Sequence, residues 1–110
     1  MNVYEEAHKL QRAIKESDEY IRYMAAKDKL SEKPEIKSMM DDFQKKQLDL
    51  QTRQMLGQET SADMLAEVSK LSAIVMQDPL AAEYLQCQMR FSIMVKDVYD
   101  ILNEVIGLTL

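Results

Sequence analysis

Apolar positions recur along the chain in steps of three and four, the spacing of one helix face. Val3, Ala7, Leu10 and Ile14 form one such series, and Met64, Val68, Leu71 and Val75 form another. A third runs Ile36, Met40, Phe43, Gln47, Leu50 and Gln54, apolar at its start and polar further on. Tyr20, Ile21, Met24 and Leu30 make a ragged face, which predicts a helix that packs only partly. The longest series is Leu80, Tyr84, Cys87, Phe91, Met94, Val98, Ile101, Val105 and Leu108, a coiled-coil-like heptad seam with no polar interruption. Leu85, Val95, Leu102 and Ile106 run beside it as a second stripe. No stretch shows sustained period-two alternation rich in β-branched residues, so strands are not expected.

Few residues break this pattern, and they partition it. Ser17 suits an N-cap, with Asp18 and Glu19 in the first turn where acids oppose the positive helix end. Pro34 fits a first helical turn, Gly57 a C′ position, Thr60 or Ser61 the next cap, and Asp78-Pro79 a cap with proline at the first helical position. Five helices follow, over about 2–15, 18–32, 34–56, 61–76 and 79–106. The fold class is all-α: a bundle built on a long antiparallel helical hairpin, with two shorter N-terminal helices packed across it. Residues 1–110 read as a single domain without repeat, linker or low-complexity tract.

Two adjacent stripes on the last helix make an apolar face wider than one neighbour covers. At 1.5 Å per residue that helix is roughly 42 Å long, against a radius of gyration near 13 Å for a compact chain of this size, so it should overhang its own domain. Such a helix needs another chain. The expectation is a homo-oligomer, most simply a two-fold homodimer with a tetramer as the larger variant, assembled through Tyr84, Cys87, Phe91, Met94, Val98, Ile101, Leu102 and Val105.

Charge narrows the list of partners. The net charge of -5 is carried by one end of the chain. Residues 1–57 hold eleven bases against eleven acids, whereas residues 58–110 hold three bases against eight acids. Many of the bases follow an acid by four residues, at Glu5–Lys9, Asp18–Arg22, Asp41–Lys45, Asp42–Lys46 and Asp49–Arg53, an order that supports helices. No basic face of the kind that binds phosphate emerges, so no direct nucleic acid is expected. No apolar run of about 18 residues suits a membrane span. The start, Met1-Asn2-Val3-Tyr4-Glu5-Glu6, lacks a basic, apolar leader, so the expected location is cytoplasmic.

Candidate chemistry is sparse. Glu5 and His8 have the three-residue spacing of a helical metal motif, but His8 is the chain's single histidine and a di-metal bundle needs more ligands. Cys87 is the single cysteine and falls on the heptad seam, where a small buried hydrophobe suits better than a redox thiol. Neighbouring acids such as Asp41-Asp42 diverge on a helix and do not make a paired acid–base site. No Gly-rich loop or nucleophile elbow is present. No enzyme, cofactor or metal is expected. Of nine methionines, Met39, Met40 and Met55 lie near the ends of a helix with a mixed seam, and form a candidate partner patch.

The chain resembles the YheA/YmcA/YlbF family of small helical bacterial proteins, closest to its YheA branch. The residues that carry the likeness are Val3-Tyr4 through Leu10-Gln11, Ser17-Asp18-Glu19-Tyr20, Lys33-Pro34-Glu35, Phe43 and Gln54-Met55-Leu56-Gly57. Further along come Asp78-Pro79-Leu80, Glu83-Tyr84-Leu85, Arg90-Phe91-Ser92 and Asp97-Val98-Tyr99-Asp100-Ile101-Leu102. These are capping and packing residues. The resemblance implies an all-helical, oligomeric regulator similar to proteins that influence competence, sporulation and biofilm formation. Some relatives are linked to iron–sulfur clusters through cysteines, which a chain with Cys87 alone does not carry over. The function expected is therefore a non-enzymatic regulatory or adaptor protein that binds other regulatory proteins through its helices. Two alternatives stay open. One is an accessory factor of an RNase Y type RNA-processing complex, with Lys27, Lys29, Lys33 and Lys37 as its contact. The other is a metal-binding helical bundle using Glu5 and His8.

Overall fold

Short polar side chains at the breaks cap four of the five helices. Asn2 accepts hydrogen bonds from the backbone N–H groups of Tyr4 and Glu5 and opens α1 (Val3–Lys15). Ser17 bridges two helices, donating its hydroxyl to the Ile14 carbonyl at 2.6 Å and accepting from the Tyr20 N–H at 3.1 Å, so that α2 (Asp18–Ser31) begins where α1 stops. Pro34 occupies the first turn of α3 (Pro34–Met55). Gly57 adopts φ +70°, a left-handed conformation that glycine reaches without strain, and α3 ends there. Ser61, rather than Thr60, caps α4 (Ala62–Gln77) by accepting from the Met64 N–H. Asp78 caps α5 (Pro79–Ile106), accepting from the N–H groups of Leu80 and Ala81 at 3.0 Å. The computed structural model describes residues 1–107, so the expected seam residue Leu108 lies outside the described residues. Among the described residues every regular element is helical, and the five helices fall within about two residues of their expected bounds.

The chain groups into two compact units, Asp28–Glu83 and the remainder, namely Met1–Lys27 with the chain from Tyr84 onward. Helices α2 and α5 are each divided between them.

In the middle unit α4 returns against α3. Leu30, Met40, Phe43, Val75 and Ala81 are buried there. Lys46 of α3 pairs with Glu67 of α4 and with Asp42 of its own helix, 3.2 Å away. Hydrogen bonds that the Lys46 ammonium donates to both carboxylates raise its pKa above the ordinary 10.5.

In the unit that joins the two chain ends, α2 packs on α5 through aromatic rings. The Tyr20 and Phe91 rings meet edge to face at 5.7 Å, and Tyr23 stacks on Phe91 at 5.3 Å and lies tilted against Tyr84 at 5.7 Å. The face that α2 uses differs from the ragged one expected. Ile21 is exposed, whereas Tyr23 is half-buried and Ala26 buried. A three-and-four series through Tyr20, Tyr23 and Leu30 was masked because alanine and tyrosine carry little apolar weight in the pattern.

Helix α1 lays Leu10 and Ile14 along Val95, Val98, Tyr99 and Leu102 of α5. The pairings form one descending order: Tyr23 and Tyr20 reach Tyr84 and Phe91, and Ile14 and Leu10 reach the stretch from Val95 to Leu102. The second half of α1 and the first half of α2 therefore both lie along α5.

Candidate functional site

The heptad seam of α5 divides at Met94. Up to that point its own chain covers it. Tyr84 is only 8% exposed against Tyr23, and Cys87, Phe91 and Met94 are half-buried. Tyr84 was expected at an oligomer interface, but it faces α2 and is part of the core. Past Met94 the same seam emerges. Val98 is half-buried, and Ile101 is 64% and Val105 90% exposed. The second stripe follows, with Leu102 at 41% and Ile106 at 53%. Helix α2 ends its cover at its first turn, where Glu19 shares a shallow depression with Arg90, Ile93, Met94 and Asp97. Helix α1 covers only the side toward Val95 and Leu102, and its own outer end leaves Val3 and Tyr4 about four-fifths exposed.

The ends of α1 and α5 thus carry apolar side chains that stay exposed among the described residues. Helices bury an apolar stripe by packing on another element. Here the stripe stays largely exposed among the described residues over about two and a half turns of α5.

The rim of this face is acidic. Beyond Val95, α5 carries Lys96 against Asp97, Asp100 and Glu104, and no base in its last turn. Lys96 is held by Asp100 at 3.0 Å, and that hydrogen bond, with help from Asp97, raises its pKa above 10.5. On α1, Glu6 is paired with Lys9 at 3.2 Å. Glu5 and Glu104 have no ion-pair partner among the described residues.

The expected methionine patch does not form as a unit. Met40 is 1% exposed and sits in the core, because adjacent residues on a helix point about 100° apart. Met39 beside it is half-buried, and Met55 at the far end of α3 is 86% exposed with Leu56. Two more exposed side chains went unnoticed in the sequence, Leu48 on α3 and Leu65 on α4. They stand outside the apolar series and show only as isolated leucines among polar residues.

Other candidates have ordinary surroundings. His8 Nδ1 lies 3.4 Å from Gln11 Oε1 on the exposed side of α1. Cys87 is a half-buried free thiol. Lys27, Lys29, Lys33 and Lys37 are exposed, and Lys37 pairs with Asp41 at 3.6 Å. No helix among the described residues is long and apolar enough to cross a membrane.

Comparison with known proteins places these features in a lineage. Residues 3–106 match the family model described as control of competence regulator ComK, YlbF/YmcA. The chain belongs to the YlbF/YmcA family. Among relatives of the YlbF/YmcA chain, a UPF0342 protein of Symbiobacterium thermophilum is 34% identical over 108 residues, covering 98% of this chain and 96% of the relative. Another UPF0342 protein, from Caldicellulosiruptor saccharolyticus, is 36% identical over 107 residues, 97% of this chain and 89% of the relative. In structure the chain is similar to a DUF964 protein from Bacillus stearothermophilus, with a TM-score of 0.79 at 21% identity over 96% of this chain and 92% of that one. That likeness carries the fold.

Proposed function

We propose that this YlbF/YmcA-family chain is a non-enzymatic regulatory adaptor that works by docking other proteins on its helices, above all on the last turns of α5. The observation that carries the role is the seam itself. It is packed by α2 as far as Met94 and then continues, apolar and uncovered, through Ile101 and Val105. Exposed isolated apolar residues are common on any protein, but a contiguous stripe rimmed by charge is typical of an interaction site. The family's link to control of a competence regulator supports a regulatory setting.

Self-association is the simplest occupant on apolar grounds, since a heptad seam suits a second copy of itself. An accessory place in an RNA-processing complex agrees with the same docking role, with contact made through protein rather than through nucleic acid. The test is affinity capture from a cell extract with wild type and with an Ile101→Asn/Val105→Asn variant, read by mass spectrometry. Proteins retained by the wild type and lost from the folded variant support the role. Identical captures refute it.

A further inference from the structure

Helix α1 is held far more lightly than its neighbours in the same unit. Of its apolar series only Leu10 and Ile14 are half-buried, while Val3 and Ala7 are exposed, and no residue of α1 is fully buried. Its polar groups bond locally: Asn2 accepts from Tyr4 and Glu5, His8 faces Gln11, and Lys9 pairs with Glu6. Among the described residues no hydrogen bond or ion pair joins α1 to α5. Beneath Leu10 and Ile14 lies a cleft of about 220 Å³ against Val95, Val98 and Leu102 of α5. A closely packed pair of helices leaves few voids larger than a water molecule.

Helix α2 is fixed to α5 quite differently, by the rings of Tyr20 and Tyr23 on Phe91 and Tyr84, with Ala26 buried behind them. The change from firm to light attachment falls at Ser17, whose hydroxyl donates to the Ile14 carbonyl and accepts from the Tyr20 N–H. Segments with few buried apolar contacts open at free energies well below that of global unfolding. Much of what keeps α1 helical lies within α1 itself: the cap at Asn2, Glu5 and Glu6 in its first turn, and Arg12 and Lys15 in its last. Leaving α5 therefore costs it little beyond the seats of Leu10 and Ile14. The surface uncovered is larger, because Val95, Val98 and Leu102 stand three and four residues from one another or from exposed Ile101 and Val105 and continue the same stripe.

Resting on the adaptor role above, we infer that α1 is an intramolecular strap over the docking stripe of α5. It pivots at Ser17, lifts Leu10 and Ile14 from Val95, Val98 and Leu102, and so sets how much of the stripe a partner meets.

The experiment uses the full chain with Cys87→Ala and one reporter thiol, Val95→Cys, whose reaction with an aromatic disulfide reagent is timed. Met89→Cys in the same background supplies the rate of an exposed thiol on α5. The Val95→Cys thiol should react more slowly than that reference, at a rate little changed by low urea, since opening α1 exposes far less surface than unfolding the chain. Leu10→Ala/Ile14→Ala should raise the rate about tenfold, through loss of the two apolar anchors. Ser17→Gly, which frees the pivot and spares both anchors, should raise it as well, with helical circular dichroism retained. A rate equal to that of Met89→Cys shows that α1 covers nothing and overturns the inference. A rate that climbs with urea as steeply as global unfolding and ignores both loosened variants also overturns it, because α1 then opens only with the whole chain. In the extract capture, Leu10→Ala/Ile14→Ala should retain more of the proteins that Ile101→Asn/Val105→Asn loses, and an equal or smaller amount overturns the control of docking. Thiol labelling needs no partner, so the adaptor role stands or falls separately on the Ile101→Asn/Val105→Asn capture.

Discussion

Met40 and Met55 show how little a residue's type says about its fate. Both sit on α3, yet one is sealed and the other is 86% exposed. Met40→Ala should cost about 2–5 kcal/mol, because it removes a packed side chain and leaves a cavity. Met55→Glu should change stability by less than about 0.5 kcal/mol. Urea unfolding followed by circular dichroism separates the two. The sequence pattern marked Met39 and Met40 together, although helix geometry allows only one of two neighbours to face the core. Which one does so depends on where α4 lies, and that is not written in α3. Surface pairs obey the same logic. Asp18–Arg22, Asp42–Lys46 and Asp49–Arg53 form as their spacing implies, while Lys9 turns to Glu6 and Asp41 to Lys37 because several partners stand within reach. Lys46 gains two carboxylates in the fold, so its pKa is raised over that of the unfolded chain. Its contribution is complete below the ordinary lysine pKa of 10.5 and disappears as pH rises through the higher folded value. A Lys46→Met variant should therefore unfold slightly earlier than wild type at pH 7, and the gap should close in strongly alkaline buffer.

At the scale of elements, the helix ends were readable because caps are local. Ser61→Ala should lower stability by about 0.5–2 kcal/mol by leaving the Met64 N–H without its acceptor. The packing of α2 was not readable in the same way. Its inward side is made of Tyr20, Tyr23 and Ala26, and its most obvious apolar residue, Ile21, faces outward. The ring contacts of Tyr20 and Tyr23 with Phe91 hold α2 on α5. Replacing Phe91 by Leu keeps apolar volume but removes the ring geometry, a loss of about 0.5–1.5 kcal/mol per pair. Hydrogen exchange should then quicken in the α2 amides from Asp18 to Lys27, while α3 and α4 keep their protection. Equal quickening throughout would mean that the rings stabilise the whole chain rather than that helix.

For the molecule as a whole, fold class and helix count were legible in the spacing of apolar residues and the placing of Ser, Asp, Pro and Gly. The proposed docking face was legible in part. The heptad seam of α5 identified the helix, but not the point along it where the chain's own cover stops. That boundary depends on the length of α2 and on Tyr23 meeting Tyr84, both tertiary facts. The sequence also assigned the whole seam to one kind of contact. In the structure the seam runs from buried Tyr84 through half-buried Cys87, Phe91 and Met94 to exposed Ile101 and Val105, so substitutions at its two ends should have opposite consequences. Val105→Asn should leave thermal unfolding nearly unchanged and abolish docking, while Tyr84→Asn should unfold the chain outright or nearly so. Differential scanning calorimetry of the two variants checks the contrast.

The unit that carries the proposed docking face is assembled from both ends of the polypeptide, with the stretch from Asp28 to Glu83 lying between them in the chain. Ribosomes make α1 and the first half of α2 well before the second half of α5 exists. On the nascent chain Leu10, Ile14, Tyr20 and Tyr23 must wait in water until α3 and α4 have been synthesised, and only then meet the helix that shelters them. The surface proposed for docking can therefore be completed only once the end of α5 has been made, after the middle of the polypeptide.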